Sequence, residues 1–343
     1  MKLRHALSGA IYTDREDGTV FVEDPEKGDG LFEIDGRWIR GKLREADPHL
    51  LGFVGGPGLA KASHSKTPRK TTGIPVPDLD RTSSQKRKKG NMDLGLEGKR
   101  VLITAASRGI GFSTAQCFAD HGCSVAICAR GEEQLGVATA DLEARGATVF
   151  AQSVDVADGE ALKGFVASAG EALGGLDIYV ANASAGGGPG EAAWQANFEI
   201  DVMGAVRGVE ASTPLLNESD AASVVFIGST AALEFLGMPQ AYNAMKAALI
   251  THASDLSQAL APQGIRVNVV SPGPVYFEGG NWEMIQQAMP AIYDRALAQC
   301  AIGRMGSPEE VARTVVFLAS PAASLVTGAN LVVDGGFTKR TAF

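Results

Sequence analysis

From about residue 99 to the C-terminus, short runs of β-branched and aliphatic residues alternate with stretches whose apolar positions recur every three to four residues. The runs predict strands at 101–104, 124–129, 148–154, 178–181, 224–228, 266–270 and 330–333. Helical patterns lie between them, for example at 109–121 and 158–173. The second opens on Asp158 as an N-cap and stops at Gly174-Gly175. Strands that are apolar throughout are buried on both faces. The pattern is therefore that of a parallel sheet covered by helices on each side. That is a doubly wound α/β fold, whose ligand site belongs at the carboxyl ends of the strands.

The first 60 residues carry a different pattern. Leu31–Ile34 and Arg37–Arg40 flank Asp35-Gly36, which suits a tight turn with positive φ, and so predict a β-hairpin. A second hairpin joins Ala10–Tyr12 to Val20–Val22 around Asp17-Gly18. So small a piece makes a marginal core, and it is expected to dock on the main body or on a neighbouring subunit. Between it and the α/β pattern, residues 61–92 are rich in Lys, Ser, Thr and Pro and nearly empty of large apolar side chains. Such a segment reads as a flexible linker. Three parts result: a β-rich extension (1–60), a basic linker (61–92) and an α/β domain (93–343).

Charge sharpens this division. The chain of 343 residues has a net charge of −8. Residues 61–90 hold nine Lys/Arg against two Asp/Glu, whereas residues 91–343 hold 14 against 26. An acidic body argues against a nucleic-acid surface there. The run Lys86-Arg87-Lys88-Lys89 reads as solvated linker or as a contact for a polyanion. No apolar stretch approaches the ~18 residues of a membrane span, and the N-terminus lacks the apolar core of a secretory signal. The four cysteines include no CxxC pair, which fits reduced thiols in a cytoplasmic protein rather than a disulfide or metal site.

Three features carry chemistry. The first predicted strand runs into Thr104-Ala105-Ala106-Ser107-Arg108-Gly109-Ile110-Gly111 and then a helix. A glycine-containing turn there lets backbone approach a pyrophosphate, and the helix N-terminus offers amide donors. In Tyr242-Asn243-Ala244-Met245-Lys246 the phenol and the ammonium share one helix face. A cation beside a phenol stabilises the phenolate, so the pair suits proton exchange with a reacting oxygen. Ser229, just after Val224–Gly228, would place a hydroxyl at a strand's carboxyl end, or merely cap the next element.

Together these motifs resemble the short-chain dehydrogenase/reductase family over about residues 93–343. The match includes Thr104–Gly111, Ala181-Asn182-Ala183-Ser184, the spacing of Ser229, Tyr242 and Lys246, Ser271-Pro272-Gly273, Gly306–Ala312 and Val332–Gly336. The resemblance implies a seven-stranded Rossmann sheet and an oxidoreductase that interconverts a carbonyl and a secondary alcohol by hydride transfer. Tyr242 is then the acid/base, Lys246 its partner and ribose ligand, and Ser229 the hydrogen-bond donor to the substrate oxygen. The alternative is an NADP-binding sensor of the same fold, with the N-terminal piece as an interaction module. The sequence departs from the family pattern at Ala105 and Ser184, where glycines are usual. Asp201 falls where a catalytic Asn holds a water of the proton relay; Asn197, one turn earlier, is the other candidate.

By the same resemblance, Asp155 contacts the adenine, Asn182 and Ala183 lie beside the adenosine ribose and under the nicotinamide, and Val156, Pro272, Gly273 and Val275 are further cofactor-binding residues. The second strand ends in Ala129-Arg130, not in an acid that would pair with ribose hydroxyls. With Arg108 nearby, this favours the 2′-phosphate of NADP over NAD. The segment 274–304 holds Tyr276, Phe277, Trp282, Met284, Ile285, Met289, Ile292 and Tyr293. These suit a pocket for a medium-sized, partly hydrophobic carbonyl, or equally the packing of a lid onto the body. A homotetramer, built through helices around 191–216 and 240–261, completes the expectation; no metal is expected.

Overall fold

The computed structural model describes residues 2–4, 10–15, 17, 19–33, 37–46, 93–235 and 239–341. The linker expected at 61–92 and the Asp35-Gly36 turn lie outside them. The chain divides into two units, residues 1–71 and 72–343.

In the first unit five antiparallel strands form a meander in the order β1 (Lys2–Arg4), β2 (Ile11–Asp14), β3 (Thr19–Asp24), β4 (Gly28–Glu33), β5 (Trp38–Gly41). Both predicted hairpins are present. Tyr12 pairs with Val22 across the first and Phe32 with Trp38 across the second. Alternate residues Tyr12, Val20, Val22 and Phe32 turn inward to a small core with Leu43. A further hairpin, β3–β4, turns on Asp24, whose carboxylate accepts from the Glu26 and Lys27 amides at 2.9 Å, and on Gly28 at φ +88°. Asp-Pro followed by Gly was its available signal.

In the second unit all seven predicted strands form: β6 (Arg100–Ile103), β7 (Ser124–Ala129), β8 (Val149–Ser153), β9 (Ile178–Ala181), β10 (Ser223–Ile227), β11 (Arg266–Pro272) and β12 (Asn330–Val333). They make one parallel sheet in the order β12-β11-β10-β9-β6-β7-β8. Helices α1 (Gly109–Asp120), α2 (Glu132–Ala144) and α9 (Pro308–Ala319) cover one face through Phe118, Leu135, Val311 and Val315. Helices α3 (Gly159–Leu173), α5 (Gly204–Leu216) and α6 (Ala241–Leu260) cover the other through Leu162, Phe165, Val209 and Leu249. The fold is doubly wound, as the apolar strands require. Strand order reverses between β6 and β9, and the carboxyl ends at such a switch point are where a ligand site belongs.

The predicted α3 is capped as expected. Asp158 accepts from the Glu160 and Ala161 amides at 3.0 Å, and Gly174 closes the helix at φ +73°. Two elements were not foreseen. Between α4 (Gly190–Asn197) and α5 the chain makes a π-helical turn, Phe198–Met203, which contains Asp201. The segment after β11 folds into two short helices, α7 (Asn281–Ala288) and α8 (Pro290–Gln299). There Trp282 and Tyr293 pack on a core of Ala296, Cys300, Met305 and Phe337, whereas Met284, Met289 and Ile292 stay exposed. Some of these side chains thus pack a satellite core and others face solvent.

Candidate active site

The turn after β6 is held from two sides. The Thr104 hydroxyl accepts from the amides of Asn182 and Ala183 at 3.0 and 3.3 Å. The Asn182 side-chain amide donates to the carbonyls of Thr104 and Ala105 at 3.0 Å each. These bonds lock the carboxyl ends of β6 and β9 together at the switch point. Asn182 sits so close to Gly111 that a Cβ there would collide with its amide nitrogen. Gly109 has φ +57°, and Ala105 has φ +53°, alone among the described non-glycine residues in being positive.

Helix α1 starts after Arg108 with no side-chain cap and no acid in its first turn. Its amides at Gly109, Ile110 and Gly111 are therefore available to an anion. Ser107 precedes them on the turn, half-buried. Arg108 is exposed, and its guanidinium donates to the Gly279 carbonyl at 2.6 Å. Phe277, from the segment after β11, lays its ring on Gly109: a Cβ there would be 2.6 Å from the ring. The sequence left Phe277 open between a substrate pocket and the packing of a lid. Its contact with the phosphate turn is a tertiary pairing with no local signal.

The remaining expected contacts are arrayed along the same edge of the sheet. Arg130 follows β7, exposed, with no carboxylate partner among the described residues. Asp155 follows β8, and its carboxylate accepts from the Ala157 amide at 3.0 Å; Val156 beside it is buried. Pro272 ends β11. The Gly273 amide donates to Val333 at 3.0 Å, and Val275 bridges to Gly306.

Ser229, two residues beyond β10, is buried, and its hydroxyl accepts from the Ala231 amide at 3.1 Å. Its own proton remains free to be donated. Tyr242 and Lys246 lie one turn apart on α6, with the Lys246 nitrogen 5.7 Å from the centre of the Tyr242 ring. Lys246 is buried at 2 % exposure and donates to the Ile227 carbonyl at 2.9 Å. Asp201, also buried, brings one carboxylate oxygen to 3.1 Å from the Lys246 nitrogen. That contact is an ion pair rather than a well-aligned hydrogen bond. Its other oxygen accepts from the Ala185 amide at 2.8 Å. Asn197, the other candidate, turns its side-chain amide back onto Ala193 at 2.8 Å.

A model of the family described as enoyl-(acyl carrier protein) reductase matches residues 104–338, which span this whole array. The chain belongs to the short-chain dehydrogenase/reductase family. Among curated members of that family it is 40 % identical to isoepoxydon dehydrogenase of Penicillium expansum over 254 residues, 73 % of this chain and 98 % of the relative. It is 35 % identical to an L-rhamnose 1-dehydrogenase (NAD(P)+) of Sphingomonas, over 70 % of this chain and 96 % of the relative. Among solved structures, the L-sorbose reductase of Gluconobacter frateurii, complexed with NADPH and L-sorbose, superposes with a TM-score of 0.67 at 31 % identity. That match covers 73 % of this chain and all of the other. An NADPH-bound short-chain oxidoreductase of Pseudomonas aeruginosa, described as containing an atypical catalytic center, gives 0.65 at 28 % identity, covering 71 and 98 %. As a short-chain dehydrogenase/reductase the protein is an oxidoreductase of a family that uses nicotinamide cofactors. Among the described residues no helix is long and apolar enough to cross a membrane.

Proposed function

We propose that this short-chain dehydrogenase/reductase is an NADP(H)-dependent enzyme interconverting a carbonyl and a secondary alcohol. The observation that carries the reading is Lys246, 5.7 Å from the centre of the Tyr242 ring and bonded to the Ile227 carbonyl, two residues before the buried Ser229 at the carboxyl end of β10. The choice of NADP rests on charge. Arg108 and Arg130 are both exposed near the adenosine end, and β7 ends without an acid. The NADPH named in two neighbouring structures supports the same choice.

The cofactor fits these residues: the α1 amides and Arg108 would meet its phosphates, Arg130 the 2′-phosphate, and Lys246 the nicotinamide ribose. It supplies or receives the hydride. Tyr242 gives a proton to the substrate oxygen in reduction and takes it back in oxidation. Ser229 donates a hydrogen bond to that oxygen and fixes the carbonyl for attack. Lys246 holds positive charge beside the phenol as charge develops on it. A homotetramer is part of the proposal, and the exposed Trp194 and Phe198, at 47 and 45 %, support an interface on and beside α4.

A panel of ketones, ketoses and quinone-like carbonyls, offered with NADPH and with NADH, tests the reading by absorbance. At least one carbonyl is expected to consume NADPH about tenfold more efficiently than NADH. Absence of turnover with every member, despite NADPH binding, contradicts it and favours a sensor.

A further inference from the structure

After β11 the chain crosses over the phosphate turn, and Phe277 lies there in a slot between two glycines. A Cβ at Gly109 would stand 2.6 Å from the tip of the Phe277 ring, and one at Gly280 would stand 2.9 Å from its side. The turn 277–280 folds back on that ring, closed by the Gly280 amide, which donates to the Phe277 carbonyl at 3.0 Å. Arg108, the residue before α1, donates from its guanidinium to the Gly279 carbonyl at 2.6 Å. Apolar and polar contacts thus join the same two pieces of chain. We infer that residues 277–280 form a strap over the phosphate turn, with the Phe277 ring as its seat and Arg108 as its latch, which must lift each time the nucleotide cofactor enters or leaves. The inference rests on the reading of the cofactor site given above.

Both ends of the strap are fixed independently of the turn it covers. Before it, Val275 bridges to Gly306, and the Tyr276 amide donates to the Gly306 carbonyl at 2.9 Å. After it, α7 begins: the Gly280 carbonyl accepts from the Met284 amide at 3.2 Å, and the Glu283 carboxylate accepts from the Gly279 amide at 2.7 Å. Between these anchors Gly279 sits at φ +72°, a conformation that favours glycine and lets the chain turn sharply. What holds the strap down on the turn is therefore the ring and the latch. Neither is a deep anchor, since Phe277 is half-buried and both Arg108 and Gly279 are exposed. Such contacts break and re-form without unfolding the elements on either side.

The consequence is kinetic. The α1 amides at Gly109, Ile110 and Gly111 are the donors open to the cofactor's phosphates, and the ring rests on the first of these residues. Phosphates on those amides would lie between the turn and the strap. The Arg108 guanidinium has five N–H donors, so it can keep the Gly279 carbonyl and still meet a phosphate oxygen. A side chain that only touches the bound cofactor slows its release and leaves its entry alone. A strap already seated on the turn before the cofactor arrives stands in the way in both directions. That difference separates a gate from a contact.

Stopped-flow nicotinamide fluorescence tests this with the full chain and NADPH, no carbonyl being needed. In Phe277→Ala the association and dissociation rate constants should both rise about tenfold or more over the wild type, as expected when a half-buried ring no longer has to be unseated, while the dissociation constant changes less than about fivefold. Phe277→Leu, which partly refills the slot, should fall between the two. A rise confined to one direction, or in neither, would overturn this inference and leave the reading of the site standing. A wild type that binds no NADPH would overturn both. Should Phe277→Ala fail to fold, Gly280→Ala decides. Its methyl would meet the ring and the Phe277 carbonyl at 2.9 Å and so unseat the ring, and the same joint rise is expected, with the same results counting against it.

Discussion

Ala105 occupies the left-handed region at φ +53°, where a β-carbon costs about 1–2 kcal/mol that glycine avoids. Glycine gives back about 0.4–1 kcal/mol through a freer unfolded chain. Ala105→Gly should therefore stabilise the protein by about 0.5–1 kcal/mol, a rise of about 1–4 °C in Tm by calorimetry; a fall in Tm would show that the turn is not strained. Gly111 stands at the opposite extreme. A methyl there meets the Asn182 amide and the Ala105 carbonyl, so Gly111→Ala should cost NADPH affinity at least about tenfold in a fluorescence titration. Spacing made Ser229, Tyr242, Lys246 and the 104–111 turn legible, because a strand end and one helical turn fix where such residues point. Asp201 was legible as a candidate only. Whether its carboxylate reaches a water or the lysine depends on the π turn, and nothing in Phe198–Met203 announces that turn. The contact of Phe277 with Gly109 joins residues 168 positions apart and was equally hidden.

The seven strands of the large sheet were readable because each holds a short run of β-branched and aliphatic residues, and their boundaries moved by no more than two residues. β11 illustrates the residual error: it runs on to Pro272, past the expected end at 270, since its last residues still pair with β12. The segment 274–304 was harder. Its apolar residues serve a satellite core and an exposed surface at once, and a pattern cannot separate these uses. The end of β7 carries the clearest consequence at this scale. Arg130 projects from it without a carboxylate partner among the described residues. Arg130→Glu should lower the ratio of kcat/KM with NADPH to that with NADH about 10- to 100-fold, the loss of one or two charge-assisted hydrogen bonds. An unchanged ratio would remove Arg130 from cofactor recognition.

At the scale of the molecule, ion pairs far from the site tie the sheet to its connections. Arg100 at the start of β6 reaches Asp177 with paired contacts of 2.8 and 2.9 Å, and Ser219 donates to the same carboxylate at 2.6 Å. Burial alone would raise the Asp177 carboxyl, but the hydrogen bonds from Arg100 and Ser219 outweigh it and hold the group below its ordinary value of 3.8. Hydrogen bonds from Arg304, with the Ser307 amide, likewise hold Glu310 down at about 2. A carboxylate lowered by folding stabilises the protein above its unfolded pKa and loses that contribution as pH falls toward the folded one. Tm should therefore hold steady down to about pH 5 and fall below about pH 4, with a shallower fall in Asp177→Asn; an identical fall in that variant would remove Asp177 as a cause. The sequence showed an acidic body and a basic segment, but not which acids are paired, because the partners lie far apart in the chain. The central claim, that Tyr242 is the proton donor of an NADPH-dependent carbonyl reduction, is tested most directly by comparing Tyr242→Phe with the wild type in the full chain. Steady-state turnover should fall about 10²- to 10⁴-fold with the NADPH dissociation constant unchanged within about threefold. Turnover within a few-fold of the wild type would contradict it.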